Sequence, residues 1–189
     1  MKIAILGWGS LIWSPKDLKY DKELNWNPNG PYLPIEFSRI SQNGRLTLVI
    51  DSNAELVPTL YAISLYENLD KAISDLALRE GCNKNKIGIY NKRTDKFTPS
   101  NFSYQNKIKE WINNTDLDAV VWTNLGKKFK DKIGLWYNSD NVIHYLETLP
   151  KETQIIAKEY ITKTPKQIDT PIRKAIKINL GWDSTETQE

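Results

Sequence analysis

The apolar residues of this chain change their spacing repeatedly, and each change predicts a new element. Ile3 to Leu6 form a brief apolar run that stops at Gly7-Trp8-Gly9, too short for a helix and suited to a buried strand. Residues 14–32, rich in Pro, Asn, Lys and Asp, read as an irregular surface connection. Pro34 to Ile40 then alternates, with Ile35, Phe37 and Arg39 set against Glu36, Ser38 and Ile40. Asn43-Gly44 follows and leads into Leu46, Leu48 and Ile50, the signature of a hairpin. Thr59 to Ile63 predicts a further strand, and Pro58 before it suits a strand start or an edge.

From Tyr66 the period becomes helical: Leu69, Ala72, Ile73, Leu76 and Ala77 fall on one stripe, and Gly81 supplies the stop. Lys86 to Tyr90 and Leu117 to Trp122 predict two more strands, separated by a helix with Ile108, Trp111 and Ile112 on one side. The last third predicts helices beginning near Ser139, Lys151 and Pro165. Thr170-Pro171 adds an N-cap and a first-turn proline for another. Sheet and helix intermix without repeats, which predicts an α+β domain: a mixed or barrel-like sheet surrounded by helices.

Composition narrows the function classes. With 189 residues the chain is expected to form one domain over 1–189, its helical C-terminal extension occupying 150–189. Hydrophobic residues at 40% and charged residues at 26% are in the globular range. The net charge of +3 is scattered among mixed Lys, Asp and Glu, so no basic stripe marks a nucleic-acid partner. One cysteine, Cys82, and one histidine, His144, leave no internal disulfide and too few soft ligands for a zinc site. The apolar start is broken by Gly7, Gly9 and Ser10 and lacks a small-residue cleavage site. No stretch approaches the ~18 apolar residues of a membrane span, so a cytoplasmic location is the expectation.

Two local features carry chemistry. Gly7-Trp8-Gly9-Ser10-Leu11-Ile12-Trp13 follows the first strand, where two glycines allow a ligand to approach exposed backbone N–H groups. Isoleucine at position 12 removes the dinucleotide fingerprint, and no Gly-Lys-Ser/Thr ending makes a P-loop. A plain strand-exit turn is the alternative. Glu80 lies about three turns after Leu69, on the apolar stripe of its helix. Burial and the negative helix end would favour its neutral form and suit it to general acid/base work. Its alternative is a frayed helix end where it reaches water or pairs with an Arg or Lys.

Weaker candidates have plainer explanations. Cys82 has no protease signature around it, and Ser10 lacks the hydrolase elbow, although its hydroxyl is suited to holding substrate. Arg39, Arg45 and Arg79 are candidates for a substrate carboxylate or for surface ion pairs.

Gly7 to Trp13 together with Leu78-Arg79-Glu80-Gly81 resembles the γ-glutamylcyclotransferase-like family, whose first strand ends in a Tyr-Gly-Ser motif and whose acid/base glutamate follows at a helix end. Trp8 stands where the family has tyrosine. Strands near Arg45 to Ile50, Leu60 to Ile63 and Val120 to Asn124 are similar to that family's barrel strands, so the resemblance covers roughly residues 1–125. It implies a mixed β-barrel with helices around it. It also implies cyclisation of a γ-glutamyl compound to 5-oxoproline, with release of an amine or amino acid. Glu80 would be the acid/base, and Gly7, Trp8, Gly9, Ser10 and Leu11 would hold the substrate. Neither metal nor organic cofactor is implied, and the partner implied is a small-molecule γ-glutamyl substrate, with no nucleic acid and no membrane. A non-catalytic ligand-binding module on the same fold is the competing expectation.

Overall fold

A computed structural model describes residues 1–183. The protein is α+β, and its described residues fall into two compact units, each assembled from separate stretches of chain. One takes Met1–Gly7, Ser14–Leu33 and Pro58–Leu125; the other takes Trp8–Trp13, Pro34–Val57 and the chain from Gly126 onward.

The first unit is organised by β1 (Ile3–Gly7), in which every residue is buried. It pairs antiparallel with β5 (Leu60–Ile63) and parallel with β8 (Ala119–Thr123). β8 pairs antiparallel with β6 (Ile87–Asn91), which pairs with β7 (Lys96–Thr98), giving the mixed order β5-β1-β8-β6-β7. Gly88 lies opposite Trp122 in the β6–β8 ladder, and the buried indole occupies the place a side chain at 88 would take. α1 (Leu69–Glu80) buries Ala72, Ile73, Leu76 and Ala77. The amphipathic α2 (Gln105–Asn113) buries Ile108 and Ile112. The irregular stretch after Trp13 is tied down by isolated bridges Tyr20↔Ser64 and Asn27↔Tyr61, and by the Trp111 indole N–H donating to the Asn29 carbonyl at 2.8 Å.

The second unit contains the expected hairpin, β2 (Tyr32–Ile40) against β3 (Leu46–Ile50), with β4 (Leu56–Pro58) on the other side of β2. Pro58 thus ends an edge strand, where its missing N–H costs no ladder bond. A short α3 (Phe129–Ile133) precedes α4 (Ser139–Thr148), α5 (Lys151–Lys163) and α6 (Pro171–Leu180). Thr170 caps α6, its hydroxyl accepting from the Arg173 N–H. No helix starts at Pro165. There the buried Arg173 guanidinium donates to the carbonyls of Thr164, Pro165 and Ile168 at 2.6–2.8 Å, satisfying groups that a helix would have paired internally. Of the helical extension expected over 150–189, residues 184–189 lie outside the described residues.

The barrel implied by the resemblance is not formed. The five-stranded sheet ends in β5 and β7 and the three-stranded sheet in β3 and β4, so both are open. Closure gives every strand two neighbours, and three-residue strands such as β4 and β7 offer too short a ladder.

The end of α1 is set by Gly81 in the left-handed region at φ 61°, with the Cys82 N–H donating back to the Ala77 carbonyl at 3.0 Å. A Cβ there meets no neighbour, so the strain is purely backbone. Gly81→Ala is therefore expected to cost about 1 kcal/mol in urea unfolding. It should also raise amide exchange over Leu78–Glu80; unaltered stability and exchange would contradict the role of this cap.

Candidate functional site

Glu80 is the last residue of α1, in the first unit. Its side chain is 16% exposed, and the Arg79 guanidinium beside it, 8% exposed, reaches Glu80 Oε1 through Nη1 at 2.5 Å. Arg79 Nη2 donates to the Ser14 carbonyl at 2.7 Å, and Asp75, one turn earlier in α1, accepts from the Lys19 N–H at 2.7 Å. α1 is thereby fastened to the Ser14–Lys19 stretch, and Glu80 is held by an anchored cation.

Cys82, two residues on, is a half-buried thiol whose pKa is pushed up by burial and by the Glu80 carboxylate. It is kept protonated and is a poor nucleophile.

Gly7 ends β1 in the first unit, while Trp8, Gly9, Ser10 and Leu11 belong to the second. The loop turns tightly, the Ile12 N–H donating to the Gly9 carbonyl at 3.0 Å. Trp8 and Leu11 are buried, whereas Ser10, Ile12 and Trp13 keep partial access to solvent. A Cβ at Gly9 would run into the hydroxyl of Tyr160 on α5. That tyrosine also packs edge-on against Trp13, with ring centroids 5.3 Å apart. The two candidates from the sequence thus lie on different units, each with its own supporting contacts.

The alternating pattern of β2 gave no warning of Glu36, which is 4% exposed. Its carboxylate accepts from the Thr170 hydroxyl and from the N–H groups of Phe37 (2.7 Å) and Ile172 (3.3 Å), so a strand residue completes the N-terminus of α6. Burial pushes the Glu36 carboxyl above the usual range, against the pull of those three hydrogen bonds, and the charge of Asp51 adds to the rise. Asp51 is buried too, but hydrogen bonds from the Asn53 N–H and the Lys127 ammonium (3.1 Å) outweigh its burial and hold it below the usual range. Nearby, Tyr137 donates to the Phe37 carbonyl, and its hydroxyl is driven up by burial and by the two carboxylates.

Of the arginines, Arg39 is tied to the Gly126 carbonyl at 2.6 Å and its pKa is lowered by burial; Arg45 lies over the Tyr160 ring at 5.5 Å. Among the described residues no group of three or more His, Cys, Asp or Glu side chains is placed to hold a metal ion, and no helix is long and apolar enough to cross a membrane.

No protein-family model, curated protein or solved structure matches the chain.

The Glu36 environment generates a prediction about pH. A carboxyl whose folded pKa is raised binds its proton more tightly folded than unfolded. Its stabilising contribution is present below the unfolded pKa and is lost as pH rises through the folded one. Glu36→Gln removes that dependence while keeping an acceptor for Thr170. Its urea midpoint should therefore gain on wild type as pH is raised from about 4 to about 8; a constant gap would show that Glu36 carries no such linkage.

Proposed function

We propose that this protein is a γ-glutamylcyclotransferase-type enzyme with Glu80 as its general acid/base. The observation that carries the reading is the Glu80 carboxylate at the end of α1, mostly shielded from solvent and steadied through Oε1 by an arginine that is itself anchored to Ser14.

The chemistry is an intramolecular acyl transfer. Glu80 takes a proton from the substrate's α-ammonium group. The freed amine attacks the γ-carbonyl carbon of the same molecule, and the carbonyl oxygen takes up the negative charge of the tetrahedral intermediate. Collapse breaks the bond to the departing nitrogen, which takes the proton held by Glu80, while the ring nitrogen gives up its second proton through the freed Glu80 carboxylate to the released amine, leaving 5-oxoproline and an amine or amino acid in its ammonium form. Five-membered ring closure needs no external nucleophile, so catalysis consists of orientation, proton transfer and charge stabilisation. The protonated Cys82 fits a reaction in which no thiolate takes part. The resemblance gives the substrate-holding part to Gly7, Trp8, Gly9, Ser10 and Leu11, of which Ser10 keeps partial access to solvent.

A non-catalytic binding module is the second reading, and the same ion pair favours it. A glutamate steadied at 2.5 Å by an arginine 8% exposed also fits a purely structural pair that finishes a helix.

Release of 5-oxoproline from a panel of γ-glutamyl compounds, followed by mass spectrometry, separates the two. Glu80→Gln keeps an acceptor for Arg79 but cannot cycle a proton, so the rate should fall about 100-fold or more. An unchanged circular dichroism spectrum would show that the fold is kept. Cys82→Ala should leave turnover nearly intact. Full activity in Glu80→Gln, or no turnover of any γ-glutamyl compound by wild type, would refute the enzyme reading.

Acetylating the substrate's α-amine should stop turnover completely, because the blocked nitrogen cannot close the ring. Appearance of N-acetylglutamate would instead reveal a hydrolase.

A further inference from the structure

Tyr160, on α5, meets the Trp8–Trp13 loop within the second unit. Its hydroxyl occupies the volume next to the Gly9 α-carbon where a Cβ would otherwise lie. Its ring is hemmed in: Trp13 packs on it at 5.3 Å and 70°, Phe37 at 6.3 Å and 81°, and the Arg45 guanidinium lies over it at 5.5 Å. The hydroxyl oxygen also accepts from the Leu48 N–H of β3 at 3.4 Å. Tyr160 is 6% exposed and fixed by four neighbours, Trp13 of the loop and Phe37, Arg45 and Leu48 of the hairpin. A ring so confined cannot retreat from position 9 without moving the hairpin or Trp13.

Gly9 is not among the residues with positive φ, so backbone freedom does not explain glycine at this position. Close approach does. The aromatic wedge needs a residue without a side chain, and in return it sets where the Gly9 carbonyl and its partner, the Ile12 N–H, lie.

We propose that Tyr160 is a positioning residue for this loop. By filling the Gly9 volume it fixes the turn that presents the Gly9, Ser10 and Leu11 N–H groups, and so makes the helical C-terminal segment part of substrate holding. The proposal rests on the substrate-holding role given to the loop under the cyclotransferase reading. It goes beyond that reading by assigning a function to α5, which lies outside the stretch that carries the resemblance.

The test is a cycle of Gly9→Ala, Tyr160→Phe and the double variant in the full chain, followed through KM and kcat for 5-oxoproline release and through the amide resonances of Gly9–Leu11. Gly9→Ala should raise KM about tenfold or more with a smaller effect on kcat, because the added methyl displaces the turn. Tyr160→Phe keeps the ring and removes the oxygen that the methyl would strike. The double variant should return KM to the level of Tyr160→Phe alone, a rescue that general loss of packing does not produce. A double variant as impaired as Gly9→Ala, or more so, overturns the proposal. If wild type forms no 5-oxoproline, the enzyme reading falls separately, and the resonances decide: shifted Gly9–Leu11 amides in Tyr160→Phe uphold the brace, and unshifted ones overturn it.

Discussion

The constraint on which the first unit depends is that β1 has a strand on each side. Ile3, Ala4, Ile5 and Leu6 are 0–1% exposed, and β5 and β8 take up both edges of their backbone. A strand with no free edge and no free face admits no slip in register, since a shift of one residue would turn its side chains over in a packed interior. The chain must therefore leave the sheet at Gly7 in one fixed place and direction. α1 is fixed with comparable firmness by its buried stripe, its Asn68 cap and its left-handed Gly81. Rigid elements thus deliver both features to which the proposal assigns chemistry, the strand exit and the helix end.

In the second unit order comes from buried polar groups with committed partners. Glu36 spends its oxygens on the start of α6, and Arg173 spends its guanidinium on three carbonyls around the turn before that helix. Removing either partner would strand a buried donor, acceptor or charge, which costs more than an ordinary hydrogen bond gains. Such networks fix one arrangement of the helices against the hairpin, where apolar contacts alone would tolerate several.

Legibility followed range. The α1 stripe, the Asn-Gly hairpin and the Thr170-Pro171 helix start are written in neighbouring residues, and all three were readable from the sequence. β4 and β7, three residues each, are too short to show a period. Glu36 reads as a solvent-facing position in an alternating strand because the hydroxyl that makes its burial tolerable lies 134 residues away. The helix expected at Pro165 failed for a similar reason, the competing donor being the side chain of Arg173. At the candidate site, the positions of Glu80 and of the Gly7–Leu11 turn were legible. The salt bridge from Arg79 appeared only as one alternative, and the Tyr160 wedge gave no local signal at all.

The separation of Glu36 from Thr170 has a consequence for how the protein is made. All residues of the first unit have been synthesised once Leu125 is added, so that unit has its full complement before Gly126 and the residues after it are made. The second unit must wait. Glu36 enters early, yet the groups that complete its surroundings arrive with Thr170 and Ile172, and the guanidinium that closes the preceding turn arrives with Arg173. Until then the nascent hairpin carries a carboxylate with only its neighbour Phe37 for a partner, two of its three hydrogen-bond donors being still to be made, and its burial waits for α6.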